Sequence, residues 1–308
     1  MSVPCSTDAA AQPVRYFDRY ENRVVEEAIY GERWLRWAYD NPLGRLTNSA
    51  ILRRAWFSVL YGAWMNTRES AKRVPAFIRD YHIDMDHFES QPRGEWKSFN
   101  QFFVRELKAG ARPLREEANV LVLPADGRHS AYADGADLSG LVVKGRPFTL
   151  EELLGDMNLA ERFRGGAMVI SRLCPTDYHR FHFPFEGVPS EAERIDGPLD
   201  SVNPIAIAAG ARSLCANKRE LTLLNTDNAG MIALLEVGAA CVGRIVQSFE
   251  AGKAVAKGQE KGMFLFGGST TITIFEPGRV TLADDLLKNT SRGLETYARM
   301  GDIMATLR

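Results

Sequence analysis

Three short stretches carry residue types that could do chemistry together. The first is Gly267-Gly268-Ser269-Thr270, set between Gly262-Met263-Phe264-Leu265-Phe266 and Thr271-Ile272-Thr273-Ile274-Phe275. The apolar and β-branched flanks predict a strand that runs into two glycines and out again. Paired glycines in a strand mark a bend, a bulge or a strained peptide. A serine directly after such a peptide can attack the carbonyl of the residue before it. The chain would then cut itself between Gly268 and Ser269. Taken alone, Gly-Gly-Ser-Thr is also what an ordinary hairpin or bulge uses.

The second stretch is Pro124-Ala125-Asp126-Gly127-Arg128, an acid at the end of a strand-like run, where Asp-Gly most often just makes a turn. The third is Cys174-Pro175-Thr176-Asp177-Tyr178-His179-Arg180-Phe181-His182-Phe183-Pro184. Two of the chain's five histidines sit there three apart. On a strand that spacing points them to opposite faces; on a loop both could reach one pocket. A metal pair at this spacing would need further ligands, and no third is evident. If aspartate, histidine and serine converge, the histidine takes the serine proton and the aspartate orients and stabilises the imidazole. The carbon attacked could belong to a substrate or to Gly268 itself. The Gly-x-Ser-x-Gly elbow of the α/β-hydrolases is missing, which weakens the ordinary hydrolase reading.

The elements that must hold these residues change character along the chain. Residues 1–14 read as a loose arm, and 15–40 mix aromatic and charged residues at helical spacing. Leu52, Trp56, Val59, Leu60, Ala63 and Trp64 recur at three- and four-residue steps, predicting a helix from about Asn48 to Met65. Residues 74–109 read as further short helices, one starting at Ser98-Phe99. From about residue 118 the period shortens. Val120–Leu123, Leu141–Val143, Met168–Arg172, Tyr178–Phe183, Leu221–Leu224, Met231–Val237 and Cys241–Phe249 are strand candidates separated by Gly, Pro, Asn and Asp. Leu282–Leu287 reads as a short helical turn and Glu295–Leu307 as a polar tail. Long β-α-β alternation is absent, so the expected class is α+β: a helical region over 1–110, then a β-rich core of short, mostly antiparallel strands over 111–308.

Composition narrows the function classes. The 308 residues are 45% hydrophobic and 25% charged with net charge −1, which speaks against a nucleic-acid partner. The four cysteines are scattered, with no Cys-x-x-Cys, predicting neither a zinc site nor a disulfide framework and fitting a reducing compartment. No secretory signal is evident at the N-terminus, and no apolar run reaches 18 residues, so no spanning helix is expected. Between Arg45 and Arg79 seven basic residues face one acid, Glu69, interleaved with Trp56, Phe57, Tyr61 and Trp64. That composition suits the headgroup zone of a bilayer, or a helix packed on its core with a solvated basic face.

An ordered set of motifs resembles the phosphatidylserine decarboxylase family from about Ser98 to the C-terminus, and more loosely before it. The set is Ser98-Phe99-Asn100-Gln101-Phe102-Phe103, Pro124-Ala125-Asp126-Gly127, Lys144-Gly145 with Phe148-Thr149-Leu150, and Asp177-Tyr178-His179-Arg180-Phe181-His182. Val202-Asn203-Pro204, Asn217-Lys218-Arg219-Glu220, Val237-Gly238-Ala239, Val242-Gly243, Gly258-Gln259-Glu260-Lys261-Gly262 and Phe266-Gly267-Gly268-Ser269-Thr270 complete it. Gly267 stands where many bacterial members have Leu, and other members carry Gly there.

The resemblance implies a pyruvoyl enzyme made by self-cleavage. Ser269 attacks the Gly268 carbonyl to give an ester. Elimination and hydrolysis then leave a pyruvoyl group on the 269–308 fragment, which stays with residues 1–268. It implies Asp126, His182 and Ser269 as the maturation triad and His179 as an aid to decarboxylation, protonating the substrate carbon. The pyruvoyl ketone, derived from Ser269, would form an imine with the substrate amine and take up the charge left by carbon dioxide. Neither pyridoxal phosphate nor a metal is implied. The expected partner is phosphatidylserine in an anionic membrane, met peripherally at the cytoplasmic face of a bacterial cell membrane, and a homodimer is left open. The alternatives are a pyruvoyl decarboxylase of a soluble amino acid, a serine hydrolase that never cuts itself, and an inert β-rich binding module.

Overall fold

The strand most buried on both faces is the one that starts at the serine: all seven residues of Ser269–Phe275 are buried. Ile272 and Ile274 pack on one side with Ala233, Leu235 and Val237. Phe275 packs on the other with Leu234, Phe183 and Val169. An unbroken run of five β-branched residues, Thr270 to Ile274, serves a strand that is covered on both faces. The computed structural model describes residues 13–29, 31, 37, 41, 55–91, 95–135, 149–198, 216–238, 244–267 and 269–308. Gly268, the expected helix start near Asn48, Arg45, Arg53, Arg54 and the expected strand at 141–143 lie outside the described residues.

The strands are β1 (Arg15–Asp18), β2 (Arg23–Glu26), β3 (Val120–Val122), β4 (Gly127–Tyr132), β5 (Met168–Leu173), β6 (Arg180–His182), β7 (Val188–Pro189) and β8 (Glu193–Ile195). They continue with β9 (Arg219–Asn225), β10 (Met231–Gly238), β11 (Ile245–Gln247), β12 (Glu260–Phe264), β13 (Ser269–Phe275), β14 (Val280–Leu282), β15 (Glu295–Ala298) and β16 (Ile303–Leu307). The helices are α1 (Ala55–Met65), α2 (Arg68–Ala71), α3 (Val74–Asp80), α4 (Phe99–Phe103), α5 (Leu150–Leu154), α6 (Met157–Phe163) and α7 (Asp284–Thr290). The fold is α+β, with most helices before the β-rich part.

The large sheet runs β2-β1-β15-β4-β5-β13-β10-β9-β7, with β8 also on β9. Every pair is antiparallel except β1 with β15. Helices α5 and α6 cover one face through Leu150, Leu153, Leu154 and Phe163. Two three-stranded sheets, β11-β12-β6 and β14-β16-β3, lie off the large one. Residues of β3, β14 and β16 share a core with the opposite face. α5 is fixed by a capping box between Thr149 and Glu152 and ends at Gly155 with φ +72°.

Two expectations fail. Residues 15–26 are a β-hairpin, not helix. Asp18 Oδ1 accepts the N–H groups of Tyr20 and Glu21 (2.8 and 3.0 Å), and Asn22 takes φ +51°, so local side-chain bonding closes a turn before a helix can start. The supposed polar tail at 295–307 is β15 and β16. β15 alternates, burying Thr296 and Ala298, while β16 buries the adjacent Met304 and Ala305, and β15 fills the gap between β1 and β4.

The hairpin is tied down by a buried charge cluster. Glu27 accepts from Arg172 (2.6 Å), Arg172 also pairs with Glu295, and Arg128 pairs with Asp177. Burial pushes the Glu27 carboxyl up, but the charges of Arg172 and Arg128 hold it down at about 2. Its folded value thus lies below the unfolded value of about 4.3. The stabilisation is complete above that value and lost as pH falls towards 2. Glu27→Gln should therefore flatten the acid limb of a pH–melting curve and cost about 3 kcal/mol at pH 7, the scale of a broken buried pair. An unchanged melting temperature at pH 7 would contradict the tie.

Candidate functional site

Strand ends assemble the site. β13 starts where β5 and β10 end, so Ser269 sits between Leu173 and Gly238. β4 starts one strand further over, with Arg128 opposite Arg172. A Cβ at Gly127 would lie 2.6 Å from the Arg172 carbonyl oxygen, so only glycine lets β4 approach there. Asp126 is consequently held at the lip of the sheet, and two strand spacings of about 4.8 Å separate that lip from Ser269.

Ser269 is fully buried, and its Oγ has no hydrogen-bond partner among the described residues. An unsatisfied buried hydroxyl costs about 1–3 kcal/mol, and the buried hydroxyls of Thr270 and Thr271 beside it are unpartnered among the described residues as well. Gly267 takes φ +145°, a conformation that side chains rarely adopt. Ser269, Thr271 and Thr273 alternate onto one face of β13. That face meets a small cavity lined by Pro124, His182, Glu236, Lys261, Thr271 and Thr273. The serine and His182 therefore border the same side of the sheet.

His179 lies in the loop before β6 and His182 within it, so both escape the opposite-face rule and both are buried. The His182 N–H donates to the Pro124 carbonyl (2.8 Å), which brings the histidine strand beside the Asp126 segment. His182 Nδ1 lies 2.9 Å from the Gly258 carbonyl and must donate to it, leaving Nε2 as the lone-pair nitrogen. Tyr178 Oη donates to Nε2 at 3.0 Å. Burial lowers the His182 pKa, against the charges of Glu260 and Asp126, so the ring is a neutral base. His179 donates from Nδ1 to the Asp177 carbonyl (3.0 Å) and stacks on Phe103 at 3.8 Å between centroids. Its Nε2 is unpartnered among the described residues, and burial takes its pKa down to about 3.

Asp126 is engaged elsewhere. Arg112 grips it with Nη2 at 2.6 Å and Nε at 3.0 Å, and the Met300 N–H donates to it at 2.9 Å. Among the described residues no hydrogen bond joins Asp126, His182 and Ser269. The orienting acceptor on His182 is the Gly258 carbonyl. The loop that ends in His179 and leads into β6 is clamped by Arg105, whose Nη2 donates to the carbonyls of Thr176 and Asp177 (2.9 and 3.0 Å), and by the Arg128–Asp177 pair.

Several of these groups escape sequence reasoning. Arg105, Arg112, Tyr178 and Gly258 act through contacts distant in sequence, and only the motifs around Tyr178 and Gly258 hinted at them. Lys261 is the extra residue of a β-bulge where β12 pairs with β6, and the bulge turns it inward onto Glu236 at 2.7 Å. Burial raises the Glu236 pKa and lowers that of Lys261. Both line the cavity beside His182.

Comparison with known proteins identifies the family. A family model described as phosphatidylserine decarboxylase matches residues 99–305. Among similar proteins, the phosphatidylserine decarboxylase proenzyme of Clostridium botulinum is 40% identical over 95% of this chain and 99% of its own. That of Fusobacterium nucleatum is 42% identical over 94% of this chain and 97% of its own, and that of Clostridium beijerinckii is 40% identical over 95% and 99%. A match running from α4 to β16, with relatives aligned nearly end to end, leaves one conclusion: the chain belongs to the phosphatidylserine decarboxylase family.

Proposed function

We propose that the protein is a proenzyme that cuts itself between Gly268 and Ser269 and then removes the carboxyl group of phosphatidylserine, releasing carbon dioxide and phosphatidylethanolamine. The observation that carries the reading is the buried, unpartnered Ser269 Oγ at the start of β13, directly after a glycine pair. For cleavage, Tyr178 releases His182 Nε2, which takes the Ser269 proton. Oγ adds to the Gly268 carbonyl carbon, the C–N bond breaks, and the amine of Ser269 takes the proton, leaving an ester. Loss of the Ser269 Cα proton expels the Gly268 carboxylate from Cβ. Water then replaces the nitrogen, which leaves as ammonia. The Asp126 charge acts on the His182 ring across the Pro124 contact and favours its protonated form during the transfer.

The site fits the pyruvoyl group so made, because Oγ, which is lost in making it, neither donates to nor accepts from any described neighbour, so its loss costs the fold no hydrogen bond among them. A ketone at that position supplies an electron sink for the pair left behind by carbon dioxide. His179 then holds the proton for the substrate carbon. Its ring is held by Nδ1 donating to the Asp177 carbonyl and by the Phe103 ring, and admitting substrate and water would raise the affinity of Nε2 for that proton. Purified protein given phosphatidylserine vesicles should release one phosphatidylethanolamine per carbon dioxide. Turnover of free serine instead would support the soluble-substrate alternative.

Peripheral attachment to an anionic bilayer belongs to the same proposal. No helix among the described residues is long and apolar enough to span a membrane. In the basic segment Leu60 is 62% exposed and Arg73 covers the Trp64 ring at 4.4 Å. Each basic residue near such a surface contributes about 1 kcal/mol. Replacing Arg53, Arg54, Lys72 and Arg73 with Gln should cut co-sedimentation with phosphatidylserine vesicles at low salt by more than tenfold and leave self-cleavage intact. Salt should release the wild type only partly, since the apolar share is not screened. Undiminished sedimentation of the variant would make this face an ordinary solvated one.

A further inference from the structure

Four residues link β12 to β13, and two of their N–H groups are held from outside. Leu265 N–H donates to the Arg244 carbonyl at 3.0 Å. Phe266 N–H donates to Asn100 Oδ1 at 2.7 Å. The Phe266 ring sits among Tyr61, Phe99 and Phe103, with centroids 5.8, 5.1 and 4.9 Å away. Asn100 is 3% exposed, and its amide is oriented from the other end, Nδ2 donating to Asn66 Oδ1 at 2.9 Å. That second bond decides the flip: only with Oδ1 towards Phe266 can both contacts form.

The helix that carries Asn100 is itself anchored. Ser98 Oγ accepts the Gln101 N–H (3.1 Å), and Ser70 Oγ on α2 accepts the Phe99 N–H (2.9 Å). The same short helix presents Phe103 to the His179 ring. One element of the helical layer therefore touches both the linker that is cut and one of the two histidines. The two glycines at 267 and 268 bring no side chain with which to restrain the peptide. Their freedom must be removed by neighbours.

We propose that Asn100 is a positioning residue for self-cleavage, fixing the Phe266 peptide so that the Gly268 carbonyl is presented to the Ser269 hydroxyl. The proposal rests on the self-cleavage reading above. A displacement near 1 Å at a reacting centre costs about 100-fold in rate. Asn100→Leu, close in size but with neither donor nor acceptor, should slow cleavage of freshly made full-length chain by about that factor. Asn100→Asp keeps an acceptor for Phe266 N–H, and Asn66 can turn its amide to meet it, so cleavage should recover to within a few-fold of wild type. Asn66→Ala, at an exposed position, should give an intermediate slowing.

Cleavage is read by denaturing gel and intact mass over time, and folding by thermal melting in the uncuttable Ser269→Ala background. Slow cleavage with retained melting and rescue by Asp is the expected result. A merely structural Asn100 would give a lowered melting temperature and no rescue by Asp. If Asn100→Leu fails to fold, Asn66→Ala decides: cleavage at the wild-type rate overturns the proposal. A wild type that never cuts removes the underlying reading; a wild type that cuts, with all three variants equally fast, removes only the role of Asn100.

Discussion

Ser269→Ala is expected to remain a single chain of 308 residues, while the wild type yields residues 1–268 and the 40-residue fragment 269–308 with a blocked N-terminus. The effect should be absolute within detection. Cleavage here needs a nucleophilic atom on Cβ of that residue both to accept the acyl group and to leave with it. A general base can be replaced by water at some cost, but the nucleophile cannot. Folding should survive, because Oγ makes no hydrogen bond among the described residues and alanine leaves the buried strand β13 intact. Removing an unsatisfied hydroxyl should even raise the melting temperature slightly. Ser269→Cys keeps a nucleophile of similar size and should cut, more slowly. A stable wild-type chain that stays whole and still decarboxylates phosphatidylserine would end the pyruvoyl reading. A whole and inactive wild type would leave the hydrolase or binding-module alternatives.

The residues proposed for the chemistry stand out in the sequence more sharply than the strands that hold them. Gly267-Gly268-Ser269-Thr270 between β-branched runs marks its own strand, because period-two alternation is local. Asp126 at a strand end was equally legible, though the reason for its glycine neighbour was not. That reason is the 2.6 Å approach of the Arg172 carbonyl, which no local pattern records. The hairpin at 15–26 was misread because its aromatic and charged residues repeat at spacings that suit a helix, while the turn that decides against one depends on the Asp18 carboxylate. β15 was missed because four residues with one buried threonine and one buried alanine look like tail. Its place is secured by β1 and β4, both distant in sequence. Least legible were the orienting groups. That Arg112 claims Asp126, and that a glycine carbonyl claims His182, follows only from three-dimensional packing.

That packing sharpens what the two histidines and the aspartate should do when changed. His182→Ala should slow self-cleavage by at least about 100-fold, the usual worth of a positioned base. His179→Ala should cut at near wild-type rate, and the matured enzyme should decarboxylate at least about 100-fold more slowly. Asp126→Ala carries two costs: it removes the negative charge that favours protonated His182, and it leaves Arg112 buried without its partner. Asp126→Asn separates them, since it keeps a hydrogen-bond acceptor for Arg112 and the Met300 N–H while losing the charge. Both variants should cut slowly, but only the alanine should also melt early. The pH dependence provides an independent check. Burial lowers the His182 pKa, so its basic form persists below the ordinary value of about 6.5. Cleavage should therefore stay level from pH 8 down past 6.5 and decline only in more acid solution. A decline centred at 6.5 or above would mean that the base is not this buried ring. Fully active, fully cut His179→Ala would mean that the proton for the substrate carbon comes from elsewhere. Tyr178, already bonded to His182, is the first residue to change in that event.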